Sequence, residues 1–193
     1  MTARRALALF AALCALAALV LGLLVSARAP GSLDLRATHA TTDLSTRLLD
    51  ALVLPTEPYV LVPAIALIAG VLWYLRRRRD ALLAVAAPLV AAVLNTWVLK
   101  PAFGRWKGGS LAYPSGHTVT LVTVLVVVVL VVRPKVLAFV IGAVLLACAT
   151  VGMIGLGYHY LTDIVGGACF AAAVVTGLQA ALSPRPGPEL STG

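Results

Sequence analysis

Two short polar runs interrupt an otherwise apolar chain. The first opens with Lys100-Pro-Ala-Phe-Gly-Arg105-Trp-Lys107 and closes with Pro114-Ser115-Gly116-His117; the second reads Gly157-Tyr158-His159-Tyr160-Leu161-Thr162-Asp163. Three cations, two histidines, a serine and a carboxylate suit a phosphate ester. Lys100, Arg105 and Lys107 can supply countercharge to a phosphoryl group and its transition state. Pro114 fits a helix start, where its missing N–H would be unpaired anyway. The N–H groups of Ser115, Gly116 and His117 would then point outward at the positive helix end, an anion site, and Gly116 would let the anion come close to the backbone. His159 and Asp163 are spaced i, i+4. On a helix the carboxylate can hold one imidazole nitrogen and leave the other free as a nucleophile. His117 remains as general acid for the leaving oxygen.

Plainer roles exist for the same residues. Ser115 can be a helix cap, Asp163 a favourable charge at a helix N-terminus, and the three cations interfacial side chains that reach back to water. His117, His159 and Asp163 could also form a two-histidine, one-carboxylate metal triad, although three neighbouring cations would repel the metal and Pro-Ser-Gly before His117 would go unexplained.

The elements that must position these residues are membrane helices. Of 193 residues, 61% are hydrophobic and 11% charged, and the mean hydropathy is +1.02. A soluble domain is about a quarter charged, so the outer surface is expected to face lipid. Apolar segments run over 6–27, 58–75, 81–99, 116–132, 136–157 and 163–182. The expected fold is all-α, a six-helix transmembrane bundle occupying residues 1–183 as one domain, followed by a disordered Pro- and Gly-rich tail at 184–193. The first segment ends near Ala27-Arg28-Ala29, which has the form of a signal-peptide cleavage site. Its apolar core from Ala6 to Val25 is longer than the roughly 7–15 residues of such peptides, so a retained helix is expected. Residues 28–57 are polar, with Leu44, Leu48, Leu49 and Leu52 at near-helical spacing, and predict an amphipathic interfacial helix.

His117 and His159 lie 42 residues apart. That is two membrane crossings and a turn, so both return to one face. With the N-terminus in the cytoplasm, Arg4, Arg5, Arg76 to Arg79, Arg133, Lys135 and Arg185 fall inside, as the positive-inside rule requires. Lys100, Arg105 and Lys107 then fall outside and need another reason to be there. The net charge of +8 sits in such clusters between spans, which argues for topology and anionic lipid rather than nucleic acid. Cys14, Cys148 and Cys169 lie within apolar stretches without CxxC spacing, so no disulfide framework or zinc site is expected. Asn95 reads as a helix–helix hydrogen bond, and Trp97, Trp106, Tyr113, Tyr158 and Tyr160 as an interfacial aromatic belt.

Pro114-Ser115-Gly116-His117 with His159-x-x-x-Asp163 resembles the type 2 phosphatidic acid phosphatase family, six-helix lipid phosphatases. The family's pattern is Lys, six residues, Arg-Pro; then Pro-Ser-Gly-His; then Ser-Arg, five residues, His, three residues, Asp. The resemblance spans the last two-thirds of the chain. It implies that His159 forms a phosphohistidine, Asp163 orients it, and His117 protonates the leaving group, while Lys100, Ser115 and the Gly116 backbone hold phosphate oxygens without metal or other cofactor. The implied partners are a lipid phosphate, with polyprenyl types first, and the surrounding membrane lipids; no oligomeric state is implied. Lys107-Gly108 stands where the family has Arg-Pro, and Gly152-Met153 where it has Ser-Arg. Lysine lacks the bidentate fork of arginine; Arg105 could supply a replacement from the same loop, or the losses could mean altered substrate choice, slow turnover or lost catalysis. The alternative is a lapsed relative that binds a lipid phosphate without turnover.

Overall fold

The structure, a computed structural model, describes residues 2–26 and 28–183. All six apolar segments are helical. They form α1 (Ala3–Val25), α4 (Pro58–Tyr74), α5 (Arg78–Leu94), α7 (Gly116–Val131), α8 (Lys135–Gly155) and α9 (Leu161–Leu182), with the short helices α2 (Ser32–His39), α3 (Thr46–Val53) and α6 (Lys100–Phe103) at the end that carries the histidines. A wide π-turn, Asn95–Leu99, joins α5 to α6 as one continuous span. Five of the helical stretches are long and apolar enough to cross a bilayer; α7 is shorter, apolar and largely interior.

α7 forms the centre, packed by α9, α5 and α8. Its Val119, Leu121, Val124 and Val127 are buried, whereas α1 turns Leu9, Leu13, Leu16 and Leu23 outward. α1 meets α9 where Ala11 lies against Gly177, small residues of the kind that let membrane helices approach closely. Around Val53, Leu61, Leu121, Met153 and Ile154 an apolar cluster lies near the histidine end; Leu72, Leu83, Ala87, Val127 and Val175 form a second.

Two expectations change here. The stretch 28–57 forms two short helices rather than one, because Thr41 and Thr42 bond back to the carbonyls of Thr38 and His39 (2.8 Å each) and close α2. The amphipathic pattern lies on α3, which buries Leu49 and Val53, whereas α2 exposes Leu33 and Leu35 and buries Asp34. In addition, α7 begins at Gly116 with Ser115 as its N-cap, so Pro114 precedes the helix instead of opening it. The tail at 184–193 lies outside the described residues.

Candidate active site

Two local devices shape the loop between α6 and α7. Gly104 ends α6 in the left-handed region (φ 57°), a conformation easy only for glycine, and the chain turns so that Arg105 enters the protein. Trp106–Lys107 then pairs antiparallel with Ser110–Leu111 across Gly108 (φ 55°) and Gly109 (φ 83°), a two-residue glycine hairpin. Proline, fixed near φ −65°, cannot occupy position 108 in this hairpin. The departure from Arg-Pro is therefore built into the loop.

His159 sits just before α9, 6% exposed. Its Nε2 lies 3.5 Å from His117 Nδ1, and the two rings meet edge to face. Both line a cavity of about 660 Å³, together with Lys100, Gly116, Asn95, Glu57, Ser110 and Tyr158. Leu61, Val62 and Ala92 continue the wall between α4 and α5. Lys100 Nζ donates to the Leu111 carbonyl at 2.7 Å. Lys107 Nζ donates to the His159 carbonyl at 2.9 Å and lies over the Tyr160 ring; burial lowers its pKa, while Asp163 and Asp34 oppose that. Burial first, then the positive neighbours His117, Lys100 and Lys107, pull the His159 imidazole down to about 3. Near neutral pH it is an uncharged base.

The i, i+4 pairing is looser than expected. Helix α9 starts at Leu161, so His159 lies outside it, and His159 Nδ1 stands 3.9 Å from Asp163 Oδ2, beyond hydrogen-bond range. Asp163 Oδ2 instead accepts the Tyr160 N–H at 2.8 Å, and Oδ1 accepts Arg105 Nη1 at 2.6 Å. His159 Nδ1 has no hydrogen-bond partner among the described residues. With both oxygens of Asp163 taken by donors, the metal-triad reading loses its carboxylate.

Arg105 requires a correction. It is 1% exposed and donates from Nη2 to Asp34 (2.7 Å) and from Nη1 to Asp163 and Thr162 (2.6 Å each). A guanidinium sealed between two carboxylates is not free to hold phosphate, and it does not line the cavity. Ser115 also turns away: its hydroxyl oxygen accepts the Thr118 N–H at 3.3 Å and stands 3.8 Å from Met153 Sδ, which is the helix-cap role. Lys100, Gly116, His117 and His159 are brought together on the cavity, with Lys107 behind His159 and Asp163 buried beneath it.

Sequence reasoning missed Asp34. Its carboxylate accepts the Thr162 N–H (3.0 Å) and hydroxyl as well as Arg105. Burial alone would raise its pKa, but these donors hold it below the usual value. A lone acid between two outward leucines was the available signal. Tyr158 stacks on His117 and Tyr160 receives Arg105 and Lys107 on its face, so these two belong to the site. Tyr113 is fully buried and donates to the Ala18 carbonyl; Trp97 and Trp106 are exposed as an aromatic belt requires. Asn95, in the π-turn, gives one bond to Pro114 O and leaves Oδ1 without a partner in the cavity wall.

At the family's Ser-Arg position, Gly152 lies against α3. A Cβ there would come within 2.8 Å of Leu49 O and Val53 N. Met153 is fully buried, filling the space beside Ser115 and Thr118.

Apolar spans converging on a two-histidine cavity at one end of the bundle define a multi-pass, all-α membrane protein. Comparison points to a family: residues 95–185 match the PAP2 superfamily model. The fold agrees with the crystal structure of a transmembrane PAP2-type phosphatidylglycerolphosphate phosphatase from Bacillus subtilis, at 21% identity and a TM-score of 0.73, covering 93% of this chain and 95% of that one. The motif resemblance is thereby borne out. No curated protein matches the chain.

Proposed function

We propose that the chain hydrolyses a lipid phosphate or diphosphate through a phosphohistidine, without metal, at the extracytoplasmic face. The observation that carries the reading is an uncharged His159 whose Nε2 faces His117 at 3.5 Å in a cavity that also holds Lys100 and the N-terminus of α7. His159 Nε2 forms a bond to phosphorus as the bond from phosphorus to the leaving oxygen breaks. For a monophosphate that oxygen belongs to the lipid alcohol, for a diphosphate to the lipid monophosphate. His117 gives that oxygen its proton. Water, deprotonated by His117, then attacks the phosphohistidine and releases inorganic phosphate, with His159 restored. Lys100 and the first-turn N–H groups of α7 offset the charge gathering on the phosphoryl oxygens. The apolar wall of Leu61, Val62 and Ala92 lets the lipid tail remain in the bilayer while the head group enters.

Polyprenyl phosphates and diphosphates are the first choice of substrate, then phosphatidic acid, phosphatidylglycerolphosphate and a prenyl-linked sugar phosphate. Phosphate release from a panel of these lipids in detergent micelles, with EDTA present, tests the reading. Metal-independent release that disappears in His159→Ala supports it. A second reading, a lapsed relative that only binds, draws support from Met153 and from the sealing of Arg105, which leave Lys100 and Lys107 as the nearby cations. Lipid binding without release by the wild type would select that reading.

A further inference from the structure

We propose that Asp34 is a positioning residue for this reaction: by sharing the Arg105 guanidinium it leaves Asp163 with the negative charge that His159 needs while phosphorylated. The inference rests on His159 being the nucleophile. An imidazole that forms an N–P bond becomes cationic, and its neighbours His117 and Lys100 on the cavity and Lys107 behind the ring oppose that charge. The balancing anion must lie behind the ring, where Asp163 stands 3.9 Å from Nδ1. Arg105 bonds the same carboxylate at 2.6 Å. Alone, that pair would sum to zero and His159 would face no net charge. Asp34 enters from α2 and takes the other arm of the guanidinium at 2.7 Å, so the buried group of two carboxylates and one guanidinium sums to −1. Asp34 also accepts the Thr162 N–H in the first turn of α9, which ties the start of that helix to the loop bearing Arg105. Asp34 and Arg105 lie 71 residues apart in the chain, and both are 1% exposed.

The test uses the full chain in detergent and whichever panel lipid the wild type turns over fastest. Asp34→Asn keeps most of the shape and removes the charge. Its kcat is expected to fall about tenfold, the lower end of what one unit charge near an imidazole does, with KM within about twofold because no cavity group has changed. Asp34→Asn combined with Arg105→Gln removes both charges, leaves Asp163 at −1, and should recover most of the lost kcat. A purely structural role predicts the reverse, a double variant worse than the single one. Asp34→Glu, which keeps the charge but strains the packing, guards against misfolding. Turnover above Asp34→Asn at an equal or lower thermal midpoint supports the proposal, and turnover that merely tracks the midpoint overturns it. An inert His159→Ala beside an Asp34→Asn equal to wild type overturns this inference alone. Activity surviving in His159→Ala, or a wild type releasing no phosphate, removes the phosphatase reading and this inference with it.

Discussion

Behind His159, Asp34, Arg105, Thr162 and Asp163 bond to one another at 2.6–3.0 Å, and the three charged groups are almost wholly shut from solvent. In front of it, Lys100 holds only one backbone carbonyl, Asn95 Oδ1 holds nothing, and both border open space. Cations of one short stretch thus have opposite fates, although they lie at the same end of the bundle. The physical distinction is ion pairing. A buried ion held by two carboxylates is scaffold, since moving it would strand other charges, even though Arg105 Nε itself has no partner among the described residues; an ion bonded to a carbonyl beside a cavity can exchange that carbonyl or a water for a ligand. Charge and sequence position do not separate these cases, whereas pairing to carboxylates does.

The contrast can be sharpened first at the histidine between the two regions. His159→Ala should lower turnover by about 10⁴–10⁶-fold, as loss of a nucleophile does elsewhere, with the purified variant keeping its thermal midpoint within a few degrees. Next comes the open side. Lys100→Ala should cost about 10²–10³-fold in kcat/KM and little stability; a large fall in thermal midpoint instead would move Lys100 to the scaffold. On the sealed side the balance reverses. Arg105→Gln should destabilise by about 3–5 kcal/mol, the result of stripping one partner from a buried charge group, while phosphate competes for the cavity with unchanged affinity. Weaker phosphate binding at wild-type stability would make Arg105 a ligand after all.

The smallest effect concerns pH. His159 has its proton affinity lowered on folding, from its ordinary 6.5 to about 3. As the pH falls below about 6.5 the unfolded chain takes the proton first, so stability is complete above that value and declines toward pH 3 with a slope of up to one proton. The thermal midpoint in detergent should drop through that window, and His159→Gln should flatten the curve.

The helical bundle was legible because each span carries its own signal in hydropathy and length. The pairing of His117 with His159 was legible because an even number of crossings returns a chain to the same face. Arg105 was not, since its role depends on Asp34, and nothing in local periodicity announces a bond between residues so far apart in sequence. The polar stretch 28–57 was legible in one half only. The leucine spacing marks α3, which buries Leu49 and Val53, but nothing marks α2, which buries its acid because donors from Arg105 and Thr162 offset the loss of water. Ser115 was legible as a cap, the plainer of its two roles.

Gly152 gives the chain a direction in which it can change. Any side chain at this position meets the backbone of α3 at Leu49 and Val53, and backbone cannot swing aside as the end of a flexible side chain can. A serine there therefore needs α3 to move as well, through alterations at 49–53. The close approach of α3 thus makes position 152 a place beside Met153 where a side chain comes only with a displaced helix.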